Sequence, residues 1–434
     1  MNAGLIERTF KLAEHGTDVR TEVIAGFTTF LAMAYIMFVN PMILGDAGMP
    51  RDAVFVATCV AAALGTVIMA FVANYPIAMA PGMGLNAFFA YTVVLHMGYT
   101  WQAALGLVFL SGCLFIAVTA TGIRSLIIRG IPNSLRSGIA AGIGLFLGLI
   151  ALKSAGVVVG SEPTLMTLGD MHSVPVILAV IGFFIIVALD HFRVPGAILI
   201  GIIAVTVASF LVTDNAFKGL ISTPPSIAPV FLQLDIAGAL KGGFLNVVLV
   251  FFLVELFDAT GTLMGVAKRA GLLTSERMKR LDRSLFADSL AIFSGSLLGT
   301  SSTTAYAESA AGVQAGGRTG LTALVVAALF LLALFFAPIA GVIPAYATAP
   351  ALLYVCCLMA RELTEFDWGD ATESVPAVIT AIMMPFSYSI ATGLAFGFIA
   401  YATIKLLTGR TRDVHWVTWI TALVFLARFA FMEA

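Results

Sequence analysis

Glu255 and Asp258 stand three residues apart in Phe251-Phe-Leu-Val-Glu-Leu-Phe-Asp-Ala-Thr-Gly-Thr262, a run otherwise made of apolar and hydroxyl residues. On a helix that spacing brings both carboxylates to one face. Ionisable groups in a long apolar segment are expensive, and they mark a substrate or proton pathway unless a partner neutralises them. No lone Lys or Arg in a neighbouring segment offers such a partner. The competing reading is a structural carboxylate bonded to a hydroxyl or backbone group. A third acid, Glu308, follows the hydroxyl run Thr300-Ser-Ser-Thr-Thr304 and stands in the first turns of an expected helix. A helix start favours negative charge or an acceptor atom. A carboxylate fixed there fills that field from the protein itself, so such a site prefers a neutral ligand that donates hydrogen bonds. Its bland alternative is an acid that only caps the helix. Asn86, in Tyr75-Pro-Ile-Ala-Met-Ala-Pro-Gly-Met-Gly-Leu-Asn86, is the counterpart in the other half of the chain. Its amide both donates and accepts, which suits a heterocycle with both kinds of edge. Thr28, Thr29, Phe88 and Thr304 are further candidates to line such a site, and Glu255, Asp258 and Glu308 are candidate proton carriers.

The elements that must hold these residues follow from composition. The chain of 434 residues is 60% hydrophobic and only 11% charged, which describes an all-α polytopic membrane protein. Fourteen apolar segments are expected, at about 23–45, 53–73, 77–95, 101–122, 137–155, 173–189, 194–213, 243–267, 284–298, 300–315, 320–338, 346–360, 374–388 and 389–406. A further apolar helix over about 414–431, with Trp416, Trp419 and Arg428, suits either a span or an interfacial position. With residues 1–21 as a cytoplasmic N-terminal segment, eighteen of the 23 Lys and Arg fall in inside loops, and only Arg51, Lys218 and Lys241 fall outside. That bias fits cytoplasmic loops, and so a cytoplasmic N-terminus. No signal peptide is expected.

Segments three and ten are interrupted by Gly, Pro and hydroxyl residues. Irregular backbone at membrane depth must line a cavity or be buried in protein. Two such breaks at matching places in two halves point to a transporter's substrate site. The halves have an odd number of segments, so they are expected to be inverted repeats of seven, and His172-Ser-Val-Pro-Val-Ile echoes Glu373-Ser-Val-Pro-Ala-Val. Residues 214–242, with Thr223-Pro-Pro-Ser-Ile-Ala-Pro229, read as an extracellular connector. Gly138, Gly142, Gly144 and Gly148 read as a close-packing face. Asp288 is placed near the cytoplasmic end of its segment in a structural pairing, and Lys153 near an outer end, where it snorkels. Gly82-Met-Gly-Leu-Asn-Ala87 matches G-x-G-x-x-A, but without alternating strands and helices around it a dinucleotide site is rejected. The four cysteines and five histidines suggest neither a disulfide framework nor a metal site. No cofactor is implied, and no nucleophile–base set supports an enzyme.

Four stretches carry a resemblance. They are Glu22-Val-Ile-Ala-Gly-Phe-Thr-Thr-Phe-Leu-Ala-Met-Ala-Tyr-Ile with Asn40-Pro41, Ala80-Pro-Gly-Met-Gly-Leu-Asn86-Ala-Phe-Phe, Leu256-Phe-Asp258-Ala-Thr-Gly-Thr, and Thr300-Ser-Ser-Thr-Thr-Ala-Tyr-Ala-Glu308-Ser. Along nearly its whole length the chain resembles AzgA-like purine permeases of the nucleobase–cation symporter (xanthine/uracil permease) superfamily. The resemblance implies a core domain (22–122 and 243–338) and a gate domain (137–213 and 346–407), within repeats 22–213 and 243–407. It also implies proton symport of adenine, guanine or hypoxanthine, a homodimer in the bilayer of the inner (plasma) membrane, and no nucleic-acid partner. Asn86, Glu255, Asp258 and Glu308 fall where the family's binding residues lie, with Asp expected in relatives at the position of Glu255. The expected function is elevator-type import of a purine base. Rivals are a uracil/xanthine or a sulfate-type anion permease on the same fold, with a membrane enzyme or a channel ranked below them.

Overall fold

The computed structural model describes residues 3–121, 127, 130–212, 219–240, 244–269 and 278–431. Arg124, Arg129, Lys218, Lys241 and Arg277 of the charge argument lie outside the described residues. The first half runs α1 (Ala3–Phe10), α2 (Val19–Met33), α3 (Ile36–Asp46), α4 (Arg51–Val72), β1 (Met79–Pro81), α5 (Met83–Ala87), α6 (Trp101–Ala120), α7 (Asn133–Ser154), β2 (Val158–Ser161), β3 (Leu165–Leu168), α8 (Val174–His191) and α9 (Ala197–Val212). The second half runs α10 (Ile236–Ala239), α11 (Phe244–Arg269), α12 (Met278–Leu298), β4 (Thr303–Ala305), α13 (Ser309–Gln314), α14 (Gly320–Ala333), α15 (Ala337–Val342), α16 (Ala345–Ala360), α17 (Ala371–Phe386), α18 (Ile390–Leu407) and α19 (Trp416–Phe431). Among the described residues, seven helices are long and apolar enough to cross a bilayer, α2 and α3 counting as one near-continuous span. The β2–β3 hairpin lies outside the all-helical expectation.

The two interrupted segments meet. β1 and β4 pair antiparallel with Met79 opposite Ala305 and Pro81 opposite Thr303. Flanking bonds lengthen the crossing: the Gly82 N–H donates to the Ser302 carbonyl at 2.9 Å, and the Tyr306 N–H to the Ala78 carbonyl at 3.0 Å. Side chains take up backbone groups that the short ladder leaves over. Thr66 Oγ1 accepts from the Met79 N–H at 2.9 Å, and Ser309 Oγ accepts from the Ala78 N–H at 3.0 Å. The Tyr306 hydroxyl donates to the Pro81 carbonyl at 2.6 Å. Beyond β1 the chain resumes as α5 and continues in wider π turns over Phe88–His96; beyond β4 it resumes as α13.

The glycine face of α7 is a close-packing face, as its spacing predicts. A Cβ on Gly138 would lie 2.6 Å from the Ala377 carbonyl of α17, and one on Gly148 would lie 2.6 Å from Cys356 Sγ of α16. The repeat echo is inexact: Ser173 is the N-cap of α8, whereas Ser374 and Pro376 lie inside α17, which Asp370 caps. At that end α7, α17 and α18 are tied by Glu373. It accepts from Ser134 Oγ at 2.5 Å and pairs with Lys405 Nζ, itself only 1% exposed, at 2.6 Å. Outside the spans, hydrogen bonding to Thr372 and the ion pair with Arg410 hold the Asp370 carboxyl down to about 2. α19 runs antiparallel to α18, with Phe425 against Phe398 and Phe429 against Phe396. It therefore lies along a spanning helix over much of its length. The described connector crosses one face, where the Leu232 N–H donates to the Leu297 carbonyl and the Asp235 N–H to the Gln102 carbonyl, both at 2.9 Å.

On the opposite face the start of α14 is capped by Glu22 of α2. This fully buried carboxylate accepts from the Arg318 N–H at 2.8 Å, the Thr319 N–H at 3.3 Å, the Thr322 N–H at 3.1 Å and Thr322 Oγ1 at 2.6 Å. Helix starts leave N–H groups without intrahelical partners, and a buried anion satisfies several at once. Asn74, in the left-handed conformation, accepts from the Gly320 N–H at 2.7 Å and donates to the Phe10 carbonyl at 3.0 Å. Glu22→Ala strands several buried donors, each worth roughly 1–3 kcal/mol when left unmade. The expected outcome is a loss of about 3 kcal/mol or more, read as a clear fall in the melting temperature of the detergent-solubilised protein. An unchanged melting curve would contradict this account of the α2–α14 contact.

Candidate functional site

Glu308 stands at the junction between β4 and α13, as the residue before the helix, and its side chain does not cap that helix. Its Oε1 instead accepts from the Tyr35 hydroxyl at 2.5 Å. Tyr35 is fully buried and occupies the two-residue break, Ala34–Tyr35, between α2 and α3. Glu308 is half-buried, and its neighbour Ala307 is exposed. Asp258, on α11, is half-buried too, and a Cβ on Gly82 would lie 3.5 Å from its Oδ2. Gly82 therefore stands next to this carboxylate, with Thr304 the nearer neighbour. Asp288 and Glu308 lie within electrostatic reach of Asp258, and Tyr306 lies within reach of both Asp258 and Glu308. Two carboxylates from different helices thus converge beside the crossing of the half-helices.

The remaining expected residues divide. Asn86 is fully buried next to the crossing; the Ser301 hydroxyl donates to its Oδ1, and its Nδ2 has no hydrogen-bond partner among the described residues. Glu255 is fully buried and its Oε2 accepts from Ser111 Oγ of α6 at 2.8 Å. This bond reaches across to α6. Thr304 Oγ1 donates to Asp288 Oδ1 at 2.9 Å, and the Ala305 N–H donates to the same oxygen at 3.2 Å. Asp288 thus anchors β4 at the crossing, from the middle of α12, because that helix starts earlier than the apolar pattern does. Thr28 Oγ1 donates to its own helix at the Ile24 carbonyl, and Thr29 is buried where a side chain on Gly312 would collide with it. The Phe88 ring is buried against Phe251 with centroids 4.8 Å apart. Tyr35 and Tyr306, beside the carboxylates, carry a signal in sequence only through their position: one at the kink of the first span, the other two residues before Glu308.

Gly261 and Gly265 follow Asp258 along α11; both are exposed and have open space where a side chain would project. Toward the connector's face, a cleft of about 490 Å³ is lined by Asp46, Tyr91, Leu95, His96, Ile150, Lys153, Ser154 and Tyr388. Tyr388 packs edge-on against Tyr91 at 6.1 Å, and Lys153 Nζ lies 5.4 Å from the Tyr388 ring centre. Among the described residues no group of three or more His, Cys, Asp or Glu could hold a metal ion.

Comparison with known proteins adds independent findings. The sequence model of the Permease family, Xan_ur_permease, matches residues 20–396. Adenine permease AdeP of Escherichia coli (strain K12) is 49% identical over 432 residues, covering 99% of this chain and 97% of its own. Guanine/hypoxanthine permease PbuO of Bacillus subtilis (strain 168) is 43% identical over 424 residues, covering 96% of this chain and 98% of its own. Among solved structures, the transmembrane domain of a cyanobacterium bicarbonate transporter, BicA, matches with a TM-score of 0.65 at 16% identity, over 86% of this chain and 97% of that one. That likeness concerns the fold alone. The chain belongs to the Permease family and is a multi-pass membrane transporter.

Proposed function

We propose that the protein imports purine nucleobases across the inner (plasma) membrane in symport with protons. The observation that carries the substrate class is the convergence of Asp258 and Glu308 beside the crossing of β1 and β4. Carboxylates accept, and a neutral base offers ring N–H and exocyclic amine donors. Asn86, with an amide nitrogen still to be satisfied, adds a donor from the opposite half-helix. An anion would meet two acids in a confined site, and like charges in low dielectric repel strongly. That disfavours the anion reading despite the shared fold. The names of the relatives, adenine permease and guanine/hypoxanthine permease, support the same class.

In this reading fourteen segments form two inverted repeats of seven. A core (22–122 and 243–338) shifts as an elevator against a gate (137–213 and 346–407) in each protomer of a homodimer. With the N-terminus cytoplasmic, the open side along Gly261 and Gly265 faces inward, and the Tyr91–Tyr388 contact closes the outer side. One of Asp258 and Glu308 carries the proton, as acids in apolar surroundings do. Glu255 acts at one remove in this arrangement, holding α11 to α6 through Ser111.

The test is uptake in cells lacking their own purine permeases. Unlabelled adenine, guanine or hypoxanthine should compete with labelled base and sulfate should not. A protonophore should abolish uptake whatever the Na⁺ concentration. Inhibition by sulfate alone, or uptake that requires Na⁺ and ignores the protonophore, would overturn the reading. Glu308→Gln keeps the size of the side chain but removes its charge. A hydrogen bond to a charged group is worth roughly 1.5–3 kcal/mol, so affinity should weaken about tenfold or more at normal protein level. Full affinity in that variant would remove Glu308 from the site. Glu255→Asp withdraws a carboxylate from Ser111, at a cost of about 1–3 kcal/mol. It should lower protein stability and leave the ranking of the three bases unchanged. A changed ranking at normal stability would return Glu255 to the binding set.

A further inference from the structure

We propose that Tyr35 is the positioning residue of the binding carboxylate: its hydroxyl holds Glu308 Oε1 and thereby presents Oε2 to the base. The inference rests on the reading of Glu308 as a substrate-binding residue. It is carried by three observations. The first is the Tyr35–Glu308 bond itself, 2.5 Å long, between residues 273 apart in sequence. The second is that Glu308 makes no side-chain bond to its own helix, although it stands at the N-cap position. A glutamate has three side-chain torsions, and no cap bond to α13 fixes them. The third is the engagement of the other nearby tyrosine. Tyr306 lies within electrostatic reach of Glu308, but its hydroxyl donates to the Pro81 carbonyl at 2.6 Å. The donor for Glu308 therefore comes from α2–α3.

The geometry makes Tyr35 a stiff support. Its ring is fully buried in the main apolar cluster, so few rotamers are open to it. It sits at the Ala34–Tyr35 break, which sets where the hydroxyl points. Its helix cannot slide freely along α13, because Gly312 is packed so tightly on Ala25 and Thr29 that no side chain would fit there. An O–H donating to a carboxylate is among the short, strong hydrogen bonds, and it uses one oxygen while leaving the other as an acceptor. A site held in this way is oriented before the base arrives, so binding does not have to order the side chain. The titratable groups facing the pair are Tyr306 from the β4 side and Asp258 from α11, with Asp288 of α12 beyond Asp258.

The experiment is a double-mutant cycle on the full-length protein, normalised to surface protein, with apparent affinity and maximal rate measured for labelled hypoxanthine and adenine. Tyr35→Phe keeps the ring and removes the hydroxyl. Apparent affinity should weaken about tenfold, and the maximal rate should stay within about twofold. Glu308→Asp draws the carboxylate back by one methylene, out of reach of the Tyr35 hydroxyl. In that background Tyr35→Phe should change affinity by less than about twofold, because the bond it removes is already gone. Equal losses in both backgrounds would overturn the proposal, as would unaltered affinity in Tyr35→Phe. A Tyr35→Phe protein that fails to accumulate would assign the hydroxyl to folding and overturn it too. Failure of the underlying reading looks different: Glu308→Gln then binds at full affinity. A weakened Glu308→Gln beside an unaltered Tyr35→Phe rejects the positioning role alone.

Discussion

The antiparallel pairing of Met79–Pro81 with Thr303–Ala305 is the interaction on which the rest depends. Extended backbone at membrane depth has no water to bond with, and each unmade N–H or carbonyl bond there costs several kcal/mol. Neither interrupted segment can satisfy itself. Each supplies the other's partners, and the surplus is met by Thr66, Ser309, Tyr306 and Asp288. Neither half of the chain can therefore complete this region alone. The requirement also places two helix starts, α5 and α13, on either side of one crossing. A gap between two half-helices is thus a consequence of satisfying backbone, and the side chains around it inherit that position.

That constraint sorts the buried acids. Glu22 is surrounded by three N–H groups and a hydroxyl, Asp288 holds Thr304 and the Ala305 N–H, Glu373 holds Ser134, Tyr401 and Lys405, and Glu255 meets Ser111. These four serve as acceptors for elements that must be joined. Asp258 and Glu308 combine partial exposure, which Glu373 shares, with a place beside the crossing. The general rule that an intramembrane acid marks function is thus too coarse for this molecule. An acid that joins two elements has a mechanical role, whatever else it does. Glu308 is joined to the kink of the first span through Tyr35, and its neighbour Ala307 is exposed.

How much of this was legible in the sequence follows from how far each signal reaches. The two interrupted segments could be read because Gly, Pro and hydroxyl residues inside an apolar run are a local anomaly. The glycine spacing of α7 could be read because one helix face is a local period. The pairing of carboxylates with donors could not, because Glu255 meets Ser111 across 144 residues and Glu22 meets Arg318 across 296. Helix periodicity likewise places Glu255 and Asp258 on roughly one face but does not say which neighbour that face meets. Asp288 lies midway along its helix and not near its start, because hydropathy locates where apolar residues begin, whereas α12 runs from Met278 through a charged stretch. The course of α19 depends on aromatic contacts with α18, to which a hydropathy window is blind.

The likeness to a bicarbonate transporter's membrane domain makes the last point sharper. Two half-helix starts facing one gap form a region of positive potential, and left alone that suits an anion. Here a carboxylate stands at the start of α13, and a second, Asp258, lies within electrostatic reach of it. The local field is then set by the side chains rather than by the backbone, and its sign turns from one that attracts anions to one that attracts donors and protons. In the proposed reading the same change ties ligand choice to protonation, because a gap that holds two acids accommodates a neutral base most readily when one of them carries a proton. One fold can therefore hold unlike cargoes without a change of topology.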